Sequence, residues 1–413
     1  MALSPDNPIA DSVLNTDLYK LTMQQFIREL FPDVPVTLAS KNRTTSVRFA
    51  DYVPVEALRE QLDHVRSLTL SEEEARFLLA GANVKPGLFT KAYVDFLRDF
   101  RLPAYEIRTA DGQHEIVASG TWPTSSPWEI YSLKVMNELY FRAKQKEAGL
   151  RDAAVWQEGE RRLRSKLKLL KSKQIAFTDF GTRRAFSTRW HKRVLEIVMN
   201  EAPELLAGTS SVLYAKEIGT KATGTIAHEI TMVLANLFGN EPEQIRGSFQ
   251  TAHELWWHRY GPDLAVALTD TFGSEYFFRT TTKEWAERYR RVRHDSGDPF
   301  AYGERAIRFY RRHGIDPRTA TVVFSDGLTA ETIVALHERF RGRIGTGFGW
   351  GTMLTNDVGF KTLSLVMKVV MANGFPTVKL SDNPAKITGP ADRVAFFKEV
   401  FGYTESPFVA CAV

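Results

Sequence analysis

The strongest constraint on this chain is a grammar that repeats between about residues 175 and 355. A short apolar run ends in small or polar residues, and a helix-compatible stretch follows. The runs end at Asp179 in QIAFTDFGTRR, Ser210 in LLAGTSS, His228 in ATGTIAHE, Asp270 in AVALTD, Asp295 in RVRHDSGD, Asp326 in TVVFSDG and Gly349 in IGTGFGWGT. Successive endings lie 31, 18, 42, 25, 31 and 23 residues apart. A strand, a loop and a helix need about that much chain, since a βαβ unit takes roughly 30 residues or more. In one unit Thr321 to Phe324 is β-branched and aromatic, and Ser325-Asp326-Gly327 is a turn signal. Ile333, Leu336 and Phe340 then recur at the spacing of a helix's inner face. In another, Asp298 precedes Pro299, a good first helical residue. Seven such units predict an α/β fold built on a parallel sheet. A (β/α) barrel of about seven strands fits, and an open doubly wound sheet is the alternative.

Residues 36–130 read differently. VTLASKNRTTSVRFA looks like strand, VPVEALREQLDHVRSL and LSEEEARFLLAG like helices, and YEIRTADGQHEIVASGTW like a hairpin turning at Ala110-Asp111-Gly112. That is an α+β domain ahead of the barrel. LNTDLYKLTMQQFIREL reads as a surface helix capped at Asn15 or Thr16. The expected division is 1–135 for the α+β domain, 136–365 for the barrel, and 366–413 for a C-terminal segment packing back on one of them.

Hydrophobic residues at 43% and charged residues at 25% are ordinary globular values and argue against disorder. One cysteine, Cys411, allows neither an intrachain disulfide nor a Cys-based metal site, which suits a reducing, cytoplasmic setting. The first residues carry no secretory signal pattern, and no apolar run nears the ~20 residues of a membrane span. The net charge of +5 is modest. The densest basic stretch, 159–173, places Leu163, Leu167 and Leu170 at helical spacing. It reads as a solvated amphipathic helix rather than a nucleic-acid surface.

In parallel α/β folds the chemistry sits at the carboxyl ends of the strands. Here those ends carry His228, several aspartates, the Arg183-Arg184 pair, Arg293 and a glycine-rich loop. An isolated Asp there is more often a helix cap, and an isolated His a core residue; their co-occurrence in successive units is what points to a site. GTGFGWGT at 345–352 has glycines at every second position, so one strand face lacks side chains and its amides can approach a phosphate. The arginines supply planar anion donors, which suits a polyanionic substrate. Asp270, Asp295 and Asp326 can meet a magnesium–phosphate complex or ribose hydroxyls. As nucleophile or acid–base, His228 needs a carboxylate on its second nitrogen, and Asp270 is the candidate. Glu229 would face away from it in a strand.

LNTDLYKLTM, FTDFGTRRAFS, GTSSVLYAKEIGTKATGTIAHE, ALTDTFG, VRHDSGDPF, VFSDGL, GFGWGTMLTND and VKLSDNPAK stand in the order seen in the nicotinate phosphoribosyltransferases. The chain resembles that family from about residue 12 to about residue 405. The resemblance implies a type II phosphoribosyltransferase: an irregular α/β barrel beside an open-faced α+β sandwich, working as a homodimer with shared active sites. The implied reaction joins nicotinate to 5-phosphoribosyl-1-pyrophosphate (PRPP), giving nicotinate mononucleotide and pyrophosphate in NAD salvage. ATP is the co-substrate, and Mg2+ enters with the phosphates of PRPP and ATP rather than on a protein site. By position, His228 resembles the histidine phosphorylated by ATP, with Asp270 and Arg293 in the catalytic set. Phe180 and Tyr19, the latter from the partner's N-terminal helix beside Asp17, would sandwich the pyridine ring. Arg183 resembles the pyrophosphate-binding arginine and Asp295 the residue on the ribose hydroxyls. Gly327, Gly349, Gly351 and Thr352 resemble the cradle of the 5′-phosphate, and Asp326 is counted with the substrate-binding residues.

Thr209 and Ser210 stand where related nicotinamide-using enzymes carry an aspartate. An aspartate there accepts from an amide but repels a carboxylate, so Ser210 favours the acid. Ala185, Ser211, Ile230 and Trp350 depart from the family's pattern without removing any of these residues. The rival readings are a type II enzyme for nicotinamide or quinolinate, a non-catalytic sensor of phosphorylated metabolites, and a flavin or lysine-aldolase barrel. Against the last, the seven run endings carry no lysine.

Overall fold

The computed structural model describes residues 8–404, so Cys411 lies outside the described residues. Two compact units divide the chain: residues 8–223 with 350–368, and residues 224–349 with 369–404. The fold is mixed α/β.

The first unit holds the antiparallel strands β1 (Pro35–Asn42), β2 (Tyr105–Ala110) and β3 (Gln113–Thr121), with β3 central. Pro35 pairs with Thr121 and Tyr105 with Ala118. The β2–β3 turn is where the sequence placed it. Asp111 and Gly112 both have positive φ (+53° and +74°), the pair of left-handed residues a two-residue hairpin requires. The helix Glu72–Leu79 starts with a capping box in which Ser71 and Glu74 satisfy each other's amides. Parallel strands β4 (Phe177–Asp179) and β5 (Leu206–Thr209) follow the long helices Trp128–Glu147 and Asp152–Lys173.

The strand expected across VTLASKNRTTSVRFA stops at Asn42, where the Asn42 side chain donates to the Thr44 and Val47 carbonyls and turns the chain, and Phe49–Asp51 is a single 3-10 turn. Two other expectations for this unit meet the structure differently. The basic helix Asp152–Lys173 is amphipathic as read: Leu163, Leu167 and Leu170 are buried, while Arg161, Arg162 and Arg164 pair with Glu158, Glu160, Glu201 and Asp357. The helix Leu18–Leu30, expected at the surface, is instead buried from Lys20 through Ile27. Its polar residues mislead because they are used inside: Gln24 donates to the Pro123 carbonyl and accepts from Tyr93, and Gln25 donates to the Leu88 carbonyl. Asp17, not Asn15 or Thr16, takes the cap position.

The second unit contains parallel strands β6 (Ala267–Leu268), β7 (Arg291–His294), β8 (Thr321–Phe324) and β9 (Gly345–Trp350), paired in that order. Strand β10 (Leu365–Ala372) begins in the first unit and pairs here with β11 (Phe375–Pro376). The units read from sequence recur as built. Asp298 caps the helix Pro299–Arg312 by accepting from Phe300 and Ala301, and Ile333, Leu336 and Phe340 are the buried face of Ala330–Phe340. The C-terminal helix Ala391–Phe401 packs on Pro242–Tyr260 within this unit.

Of the seven expected strand ends, six follow strands. The exception is His228. ATGTIA makes only an isolated bridge, Ala222 to Thr209 in the first unit, and His228 opens the helix His228–Asn236. His228 and Glu229 therefore share a first helical turn rather than opposite strand faces. Among the described residues no helix is long and apolar enough to cross a membrane.

Candidate active site

Each unit gathers a polar cluster at its strand ends. In the second unit His228 is 7% exposed. Its Nδ1 lies 2.9 Å from the Thr271 hydroxyl, and its Nε2 lies 3.0 Å from Asp295 Oδ2 and 2.9 Å from the Lys379 ammonium. Asp270, the carboxylate expected to serve this histidine, stands farther off at 3.6 Å, so Asp295 is the closer partner. Asp270 takes the Ser296 hydroxyl at 2.6 Å and Lys379 at 3.3 Å on Oδ2; its buried Oδ1 accepts no hydrogen bond from the described residues. Arg293 reaches in from β7 and donates to Asp295 Oδ1 at 2.5 Å, to Ser325 at 2.8 Å and to Thr225 at 2.9 Å.

The electrostatics of this cluster follow from burial and neighbours. Burial, then the Lys379 charge, pull the His228 pKa down to about 4, against the opposing pull of Asp270 and Asp295. The ring is therefore neutral at pH 7. Burial alone would raise the two aspartates, but Lys379 and His228 hold Asp270 at about 2, and Arg293 holds Asp295 well below the usual carboxylate range. Asp382 goes the other way, to about 6, because it is buried near the charged Asp270. Asp326, assigned to substrate by resemblance, forms a 2.6 Å ion pair with Lys386, which also donates to the Asp295 carbonyl. Gly327, with φ +58°, and Gly349 lie in this unit. In β9 the need for glycine has two sources. A Cβ at Gly345 would press on Thr321 and the Ala320 carbonyl at under 3.0 Å, whereas one at Gly347 would make ordinary contact with Val323 at 3.6 Å and Thr321 at 3.9 Å. Packing explains the first glycine and leaves the second free for a ligand's approach.

In the first unit Arg183 Nη1 donates to the Tyr19 hydroxyl at 3.0 Å and to Glu129 at 3.1 Å. The resemblance placed Tyr19 in a partner's site; here it meets an arginine of its own chain. Lys20 pairs with Glu129 at 2.7 Å and Lys368 stands at 3.9 Å. Burial would raise Glu129, but Lys20, Lys368 and Arg183 together hold it far below the usual carboxylate range. Asp17 is buried, and that burial raises its pKa; the Ser210 and Thr182 hydroxyls and Arg183 pull against it. Phe180 and Gly351 are pinned together: the Phe180 amide donates to the Trp350 carbonyl at 2.9 Å, and a Cβ on Gly351 would stand 3.2 Å from the Phe180 carbonyl. Thr352 starts the single turn Thr352–Thr355, and Gly181 packs so closely on Thr355 that a Cβ would lie 2.3 Å from it. Thr209 and Ser210 end β5, with Ser210 Oγ 3.2 Å from Thr182 Oγ1.

The four departures from the family pattern find structural places. Ser211 caps Val212–Ile218, the Ala185 carbonyl accepts from Asn137, Ile230 is buried, and Trp350 lies edge-on to Phe177.

A family model for the nicotinate phosphoribosyltransferase family matches residues 175–405, and one for the N-terminal domain of that family matches residues 14–137. The chain belongs to the nicotinate phosphoribosyltransferase family. Among solved structures, the chain is similar to nicotinate phosphoribosyltransferase from Porphyromonas gingivalis, at 32% identity and a TM-score of 0.86 over 96% of this chain and all of that one. It is also similar to nicotinate phosphoribosyltransferase from Vibrio cholerae, at 30% identity and a TM-score of 0.88 over 98% and 97% of the two chains. Family membership supports phosphoribosyl transfer as the activity, and the structure separately shows the two polar clusters. Residues the sequence reading assigned no role, namely Lys20, Glu129, Thr271, Ser296, Lys379 and Lys386, complete them. Lys20 and Lys379 stood inside quoted motifs, LNTDLYKLTM and VKLSDNPAK, and were legible there; Glu129 sits in an unremarkable helix and gave no signal.

Proposed function

We propose that this chain transfers the phosphoribosyl group of PRPP to nicotinate, yielding nicotinate mononucleotide and pyrophosphate, with ATP hydrolysis coupled through phosphorylation of His228. The observation that carries the coupling is the state of His228: a buried, neutral imidazole whose Nε2 is surrounded by Asp295, Asp270 and Lys379. A neutral ring with its proton on Nδ1, donated to Thr271, keeps the lone pair on Nε2 for attack, so the Thr271 hydroxyl stands on the second nitrogen where a carboxylate was expected. In the coupling step an Nε2–phosphorus bond forms as the bond to the ADP oxygen breaks, and ADP leaves with the electron pair. Lys379 then faces the new phosphoryl charge. Water later cleaves the Nε2–phosphorus bond, releasing phosphate and returning the imidazole to its neutral form. Asp270 and Asp295, with the bare Oδ1 of Asp270, suit a hard cation, and they would hold Mg2+ brought in on substrate phosphates. Bound there, the ion would neutralise phosphoryl oxygens.

In the transfer step the pyridine nitrogen bonds to ribose C1 as the C1–oxygen bond breaks and pyrophosphate departs. The ribose becomes cationic and the leaving group gains charge, so preorganised charges do most of the work. The anchored Arg183, among Lys20 and Lys368, supports the reading of this cluster as the binder of an anionic group. Phe180 and Tyr19 are read as the ring's aromatic contacts, and Ser210 as the position that tolerates the carboxylate. A homodimer in the cytoplasm is the setting proposed with this reaction.

The test is product formation from labelled nicotinate with PRPP and Mg2+, with and without ATP, and with nicotinamide in parallel. Nicotinate mononucleotide formed faster with ATP, and a His228→Ala enzyme deaf to ATP, are the expected results. Full ATP stimulation in His228→Ala would sink the phosphohistidine. Turnover of nicotinamide alone would overturn the substrate reading.

A further inference from the structure

Asp179, at the end of β4, is completely buried, and its carboxylate takes three donors. Oδ1 accepts from the Gly181 amide at 2.8 Å. Oδ2 accepts from Thr209 Oγ1 at 2.6 Å and faces His191 Nε2 at 2.7 Å. The Asp179 carbonyl also accepts from the Ser210 amide at 2.7 Å. Thr209 Oγ1 relays the bond onward by accepting from the Ser211 amide at 3.1 Å. One aspartate thus ties the start of the loop bearing Phe180 and Arg183 to the loop bearing Thr209 and Ser210. The far end of the first loop has other anchors: Asn137 holds the Ala185 carbonyl, Asn356 the Arg184 carbonyl, and Thr355 the Phe186 amide.

Among the described residues His191, on the helix Thr188–Glu201, is the only side chain outside these two loops that donates to this carboxylate, so its bond fixes the aspartate to the body of the unit. It is fully buried, its ring sits edge-on to Tyr214 at 4.8 Å, and its Nδ1 has no hydrogen-bond partner among the described residues. A ring with one nitrogen idle is spent on a single bond. Filling space alone would call for an apolar residue, because a buried nitrogen without a partner carries a desolvation cost.

We infer that His191, acting through Asp179, is a positioning residue that sets affinity for the pyridine substrate by holding the Phe180–Arg183 and Thr209–Ser211 loops in register. This rests on the proposed reaction, in which those loops receive the pyridine acid. His191 touches no substrate, so its loss acts on binding rather than on the transfer step.

The experiment compares two full-sized variants, His191→Leu, which fills the space without a donor, and His191→Gln, whose side-chain amide can still donate to Asp179. In His191→Leu the KM for nicotinate is expected to rise roughly tenfold, the order for losing a hydrogen bond to a charged group. The kcat is expected to stay within about twofold. His191→Gln restores most of the nicotinate KM. Amide exchange at Gly181 and Ser211, which needs no activity, is faster in the Leu variant and near wild type in the Gln variant. A Leu variant with a lowered Tm but unchanged nicotinate KM and unchanged exchange at those amides would overturn the inference and leave His191 a packing residue. A Gln variant no better than Leu would overturn it too. Wild-type protein that fails to turn over nicotinate would refute the reaction itself, and the exchange measurement would then decide the positioning role alone.

Discussion

Lys379 is the residue on which the nucleophile reading turns. Its ammonium stands 2.9 Å from His228 Nε2 inside a site where both side chains are over nine-tenths buried. At an effective dielectric of about 20, a unit charge at that distance opposes protonation of the ring by about 6 kcal/mol, before the carboxylates answer. The net fall of the histidine from its ordinary 6.5 to about 4 corresponds to about 3 kcal/mol against the charged ring. Burial contributes first to that fall and Lys379 second, so replacing Lys379 by methionine leaves Asp270 and Asp295 with a freer hand. His228 in Lys379→Met is therefore expected to titrate at or above 6.5. The assay is NMR titration of ring-labelled histidine, with the signal assigned by its loss in His228→Gln. Stability gives the same sign. In the wild type the folded ring refuses a proton that the unfolded ring accepts, so stability falls as pH drops from about 6.5 to about 4 and then levels. That slope shrinks in the Met variant. A histidine that still titrates near 4 in Lys379→Met would show that burial alone holds it, and the charge argument would fail. One titrating near 6.5 in the wild type would refute the neutral, preorganised nucleophile.

Glu129→Gln leaves Lys20, Arg183 and Lys368 facing a neutral amide, and urea unfolding at pH 7 should show a loss of about 3–5 kcal/mol, partly recovered by added pyrophosphate. Because the depressed Glu129 contributes only when ionised, that gap should close as pH falls below the usual carboxylate range. Ser210→Asp sets a carboxylate beside Thr182 and Asp17; kcat/KM for nicotinate should fall by about 100-fold, since like charges at a desolvated contact cost several kcal/mol, while nicotinamide is spared. Equal losses for both substrates would remove Ser210 from the specificity argument. Asp382 is raised from 3.8 to about 6, so its stability contribution is full below about pH 3.8, is lost as pH rises to about 6, and is level beyond. Asp382→Asn keeps an oxygen for the Ser274 amide, and by denaturant titration should be more stable than wild type by about 3 kcal/mol at pH 8, by about half that at pH 5, and no different near pH 3.8.

What was legible in advance was local. Asp111-Gly112 needs only its own backbone to turn, Asp298-Pro299 only the next two amides to cap, and Leu163, Leu167 and Leu170 only a helical period to share a face. The strand ends could be found because apolar runs and turn residues are written contiguously. The same logic failed where a polar residue's partner is distant in sequence. The helix Leu18–Leu30 looked exposed because Gln24 and Gln25 are satisfied by groups 99 and 63 residues away. His228 was read as a strand end because ATGTIA has strand composition, although only Ala222 finds a strand partner.

The sequence by itself therefore determined the kinds of element, their order, and the family to which eight ordered motifs belong. Only the tertiary structure decided which charges meet. His228 is joined to Lys379 across 151 positions, Arg183 to Tyr19 across 164, and Arg183 to Glu129 across 54. A protonation state is set by burial and by charges within a few ångströms, whatever their distance along the chain. The residue types announced an anion-handling site, and the packing made its histidine neutral and its aspartates charged.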